Sequence, residues 1–127
     1  SIQQTSENEK LFDLKHLNEF LENDQNCVNE MIALFIEKTP EVLKSIDESN
    51  DCDDSAKLKE GVHKLRSSLG LMGIEKALEI ATWIENEIDT NPKSFIWKNE
   101  VASFISICER AVEELIANAT MSENINS

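Results

Sequence analysis

Apolar residues recur along this chain at the three-to-four-residue spacing of amphipathic helices, and no stretch alternates convincingly as a half-buried strand would. Leu11, Leu14, Leu17 and Leu21 share one side of a first helix within LFDLKHLNEFLEN, and Asn23-Asp24 reads as the turn that ends it. From about Gln25 to Asn50 a helical period runs through Val28, Ile32, Phe35, Val42, Leu43 and Ile46. Pro40 interrupts this run, which predicts either one kinked helix or two shorter ones. After the acidic stretch SNDCDDS, any of Asp53, Asp54 and Ser55 can cap a third helix, whose apolar stripe is Leu58, Val62, Leu65, Leu69 and Met72. A fourth helix follows from Ile74, Ala77, Ala81, Ile84 and Ile88. Thr90-Asn91-Pro92 breaks it, with Pro92 suited to the first turn of the next helix. The last stripe is Val101, Phe104, Ile105, Cys108, Val112 and Leu115, before a polar tail from roughly Asn118.

Five such helices with short connections predict an all-α fold, an antiparallel bundle with a four-helix core. The pattern confines it to residues 11–117, with flexible tails at 1–10 and 118–127. A chain of 127 residues is long enough for one domain with a single core, and it contains neither low-complexity sequence nor repeats at solenoid periods.

Charge narrows the partners. Twelve basic against 25 acidic residues give a net charge of -13, which repels nucleic acid phosphates and anionic lipid headgroups. The longest apolar runs, such as MIALFI, are too short to span a bilayer, and no signal-peptide pattern precedes the helices. The expectation is a cytoplasmic protein, kept soluble and monomeric by its acidic, solvated loops. Cys27, Cys52 and Cys108 show no close pairing of the kind zinc and redox sites use, so reduced thiols and no bound metal are expected. Cys108 falls on a core stripe, and Cys52 in the acidic loop. Trp83 and Trp97 read as packing residues at the bundle edge, and His16 as an exposed residue.

One helix face does not fit a purely structural reading. At about 100° per residue, His63 lies roughly 140° from the centre of the third helix's apolar stripe and therefore faces solvent. Its neighbours there are Ala56, Lys59, Arg66, Ser67 and Gly70. Small side chains leave the imidazole open to a concave partner, and Lys59 and Arg66, one turn to either side, can neutralise the oxygens of a phosphoryl group in transit. Gly61 and Gly70 each cost a helix about 1 kcal/mol relative to alanine, which suggests that close backbone approach favours them. An imidazole keeps an unprotonated nitrogen available as a nucleophile near neutral pH.

The stretch HKLRSSLGLMG, His63 to Gly73, resembles the signature of histidine-containing phosphotransfer (HPt) domains, His-x-Leu-Lys-Gly-Ser-Ser-x-x-Leu-Gly. His63, Leu65, Ser68 and Gly73 match it. Arg66 replaces its lysine and Met72 its second leucine, while Ser67 stands at the glycine and Leu69 at the second serine. The resemblance extends over roughly residues 11–116, with Ala77, Ala81, Ile84 and Glu85 fitting the family's fourth helix.

The resemblance implies that His63 takes a phosphoryl group from the aspartyl phosphate of one response-regulator receiver domain and passes it to another, within a relay fed by a hybrid sensor histidine kinase. Arg66 would stabilise phosphoryl charge with support from Lys59, and Ser67, Ser68 and Gly70 would give close approach and local hydrogen bonding. Such a domain is a phosphocarrier without ATP binding or autokinase activity. It binds no cofactor, and Mg²⁺ comes with the receiver. Phe12, Leu17 and Phe20 are candidates for an apolar docking surface, although each also suits the core.

Three other readings compete. The His63 face could serve a helical adaptor that is never phosphorylated. A histidine-kinase dimerisation domain normally has an acidic residue after its histidine, where this chain has Lys64. A metal-binding four-helix protein needs inward Glu and His pairs, whereas the inward positions here are apolar.

Overall fold

The computed structural model describes residues 10–126, with side chains described as far as residue 119. Five helices occur among these residues: α1 (Lys15–Phe20), α2 (Gln25–Asp51), α3 (Ser55–Leu71), α4 (Glu75–Thr90) and α5 (Lys98–Asn126). There is no strand among the described residues. The four long helices form a ring in which α2 packs on α3 and α5, and α4 packs on the same two. The runs are antiparallel. The side chain of Asn50, near the end of α2, reaches the carbonyl of Lys98 at the start of α5, whereas Ile32 shares a groove with Leu115.

The stripes meet in one core, in which Leu17, Ile46, Val62, Leu69, Ile74, Ala77, Ala81, Ile84, Val101, Phe104 and Cys108 are fully enclosed. Two acidic caps set where the middle helices begin. Asp24 Oδ1 accepts from the Cys27 amide at 3.2 Å, and Asp54, out of the three candidates, accepts from the Lys57 amide at 3.1 Å. The helix through Pro40 is single and unbroken. Proline removes one donor from the ladder, and here its ring lies on the exposed side.

The first helix is much shorter than its leucine spacing predicts. Only Lys15–Phe20 is helical, because the residues before it form a strap tied to distant groups. The Asp13 amide donates to the Met72 carbonyl at 3.0 Å, and the Leu11 amide to Glu114 Oε1 at 2.8 Å. Gly73 makes the crossing possible. Its φ is +64°, and a Cβ there would lie 2.1 Å from the Asp13 carbonyl oxygen, so both conformation and space demand glycine.

The start of the last helix also differs from expectation. Pro92 does not open it; residues 91–97 form turns, with Phe95 at φ 55°, and the helix begins at Lys98. Trp97 plugs the bundle end at 1% exposure, stacked at a tilt on Phe95 with ring centroids 5.2 Å apart, while Trp83 remains partly exposed. At its other end α5 runs on to Asn126, past the predicted change to a tail at Asn118. Most of the predicted N-terminal tail lies outside the described residues.

Gly61 owes its identity to packing rather than to a partner. A Cβ there would meet Ile46 Cγ1 at 2.7 Å, so glycine is what lets α3 lie close against α2. A Cβ on Gly70 would meet nothing within 4 Å.

Candidate functional site

The outer face of α3 holds His63 with 71% of its side chain exposed, yet the ring is not free to turn. Nδ1 lies 2.8 Å from Oε1 of Glu85 on α4, and the other oxygen of that carboxylate accepts from Arg66 Nη1 at 2.6 Å. Lys59, one turn before His63, pairs with Asp89, one turn after Glu85. Because α3 and α4 run antiparallel, each turn forward on α3 meets one turn back on α4. A ladder of polar pairs therefore closes over the seam between them, and its members line one shallow cleft together with Thr82 and Asn86.

Glu85 is the piece that sequence reasoning left without a role. It is buried, at 6% exposure, in the same sector of α4 as Ala81, Ile84 and Ile88. A carboxylate inside an apolar stripe requires a partner, and that was the available signal. Shared between a guanidinium and an imidazole, the ionised carboxylate can only accept, so Nδ1 is the ring nitrogen that carries hydrogen. In the neutral ring Nε2 then keeps its lone pair, and it points away from Glu85 towards solvent.

The structure brings together Lys59, His63 and Arg66, but both cations are already occupied by carboxylates of α4. Ser67 is exposed and Ser68 half-buried. Neither hydroxyl has a hydrogen-bond partner among the described residues, so the local hydrogen bonding expected of them is not seen there. Gly70 and Ala56 leave open space on the same face.

Of the three apolar docking candidates, two are withdrawn into the fold. Leu17 is fully buried and Phe12 is 8% exposed, since α1 and the strap press them onto the bundle, whereas Phe20 is 68% exposed. Leu34 on α2 is also exposed and escaped notice, because it sits just off the apolar period of that helix.

None of the three cysteines lines this cleft, and all three are unpaired. Burial pushes the Cys108 thiol up to about 12, with Glu109 adding to the effect. Cys27 is raised by the hydrogen bond and charge of Asp24 beside it. Among the described residues no group of three or more His, Cys, Asp or Glu side chains is arranged to hold a metal ion, and no helix is long and apolar enough to cross a membrane.

The sequence model of the Hpt domain family matches residues 30–119, which takes in most of α2, all of α3 and α4, and α5 as far as Ala119, leaving out α1. No curated protein and no solved structure matches the chain.

Proposed function

This chain belongs to the Hpt domain family, and from that premise we propose that His63 is its phosphoacceptor, taking a phosphoryl group from a receiver-domain aspartate and handing it to another. Membership itself carries histidine phosphotransfer in two-component signalling, with the domain as phosphocarrier rather than ATP-binding kinase. The observation that supports His63 is its anchored ring: Nδ1 is bonded to buried Glu85 at 2.8 Å while the side chain is 71% exposed. His16, the other histidine, is exposed on α1 outside the matched residues.

The chemistry follows from that tautomer. Nε2 attacks the phosphorus of the aspartyl phosphate, the P–O bond to the aspartate carboxylate breaks as the P–N bond forms, and the proton stays on Nδ1. The ring thereby gains positive charge, and the carboxylate of Glu85 stands 2.8 Å away to offset it. Arg66 is held beside the ring by the same carboxylate, and the reading gives its guanidinium the role of offsetting phosphoryl charge. The reading assigns Mg²⁺ and the receiver's own catalytic groups to the partner, and Ser67, Ser68 and Gly70 to leaving room for it. It also assigns the chain to the cytoplasm as a monomer, in keeping with its unpaired cysteines and acidic charge.

The test is transfer of labelled phosphate from phosphorylated receiver domains of the same organism to the parent and to His63→Gln. Acid-labile, base-stable label on the parent and none on the variant supports the reading. A parent that takes no label from any of them overturns it in favour of the unphosphorylated adaptor.

A further inference from the structure

We propose that Asp89 is a positioning residue that keeps the phosphoryl group loosely held on His63 by occupying Lys59; this rests on His63 being the phosphoacceptor. The cleft beside the imidazole contains two cations, Lys59 and Arg66, and two carboxylates, Glu85 and Asp89. With a neutral ring the four charges cancel, so an incoming phosphoryl dianion meets no net positive field.

The two carboxylates differ in what they can be for. Glu85 is buried and shared by His63 and Arg66, so it cannot leave without stranding both. Asp89 is 56% exposed and has Lys59 as its one side-chain partner among the described residues. An exposed pair of this kind adds little to stability. Moreover, Asp89 is the penultimate residue of α4, at the helix end where the macrodipole disfavours an anion. Neither stability nor helix electrostatics accounts for an aspartate there, whereas occupying the Lys59 ammonium does.

The consequence concerns direction. On discharge the P–N bond breaks, a P–O bond forms to the receiver's aspartate, Nε2 recovers its lone pair and Nδ1 keeps its proton. With Lys59 occupied, the phosphohistidine is less stabilised and the phosphoryl group moves on more completely. Neutralising Asp89 frees the Lys59 ammonium within the cleft it shares with His63, which should favour phosphohistidine by about three- to tenfold.

The experiment charges the parent, Asp89→Asn, Lys59→Met and the double variant with phosphoramidate, mixes each with a Mg²⁺-loaded receiver domain, and reads the equilibrium share of phosphate on His63. Thermal unfolding of all four is recorded alongside. The expected result is a three- to tenfold shift towards His63 in Asp89→Asn, lost in the Lys59→Met background and shrinking in 1 M salt, with unfolding temperatures nearly unchanged. An Asp89→Asn protein that matches the parent, or the same shift without Lys59, overturns the inference while leaving the proposed function intact. A parent that cannot be charged at His63 overturns the proposed function itself, and this inference with it.

Discussion

Oε1 of Glu85 lies 2.8 Å from Nδ1 of His63, so a side chain almost wholly buried in α4 orients one largely exposed on α3. The exposed ring can meet a partner in a fixed orientation, because its anchor is itself held by Arg66 and by the core around it.

Two substitutions at Glu85 separate its hydrogen bond from its charge. Glu85→Gln keeps an oxygen to accept from Nδ1 but weakens the pair with Arg66, and is expected to slow phosphorylation of His63 by about two- to tenfold with little loss of fold. Glu85→Ala removes both partners' acceptor, and is expected to cost about 1–3 kcal/mol of stability and a further loss of rate. Urea unfolding and transfer kinetics on the two variants check this. Equal rates for both would show that Nδ1 needs no acceptor.

The three glycines predict three different outcomes. Gly73→Ala forces a side chain into φ +64° and into the Asp13 carbonyl, so it should cost at least about 2 kcal/mol and release the strap over residues 11–13. Gly61→Ala must push into Ile46, which is fully buried, and its overpacking cost of about 1–3 kcal/mol opposes a gain in helix propensity of about 1 kcal/mol. Gly70→Ala has free space and should stabilise the fold by up to about 1 kcal/mol, while impeding receiver docking on the His63 face. Unfolding curves rank the three, and transfer rates show whether Gly70 alone separates stability from function.

The helical stripes were legible because period is a local property: Leu58, Val62, Leu65 and Leu69 are all buried as their spacing requires. The outward face of His63 followed from the same arithmetic. What escaped was whatever depends on a second, distant segment. LFDLKHL carries a helical spacing, but hydrogen bonds to Met72 and Glu114 hold its first part as a strap, and they bury Phe12 with it. Likewise, one helix could show Lys59 and Arg66 beside His63, whereas their pairing with Asp89 and Glu85 needed the register of α3 on α4. Of those two, only Glu85 left a trace, as a carboxylate in an apolar stripe.

Cys108 predicts an alkaline limit to stability. Its thiol is raised in the fold from 9.0 to about 12, so between those values the unfolded chain gives up the proton first and folding is progressively disfavoured as pH rises. Below pH 9 the contribution is fully present. From pH 8 to pH 10 the parent is expected to lose about 1.4 kcal/mol more than Cys108→Ala, as read by urea unfolding at each pH. In the native protein iodoacetamide should modify exposed Cys52 and leave Cys108 unreacted, which peptide mass spectrometry will show.

The most direct test of the central claim is nitrogen and phosphorus NMR on histidine-labelled protein charged with phosphoramidate. With only His16 and His63 in the chain, the spectrum of a His16→Gln variant assigns the imidazole signals. The account predicts a phosphorus coupled to Nε2 of His63, with the proton retained on Nδ1 and His16 unchanged. Phosphorus on Nδ1 of His63, or on His16, would contradict it.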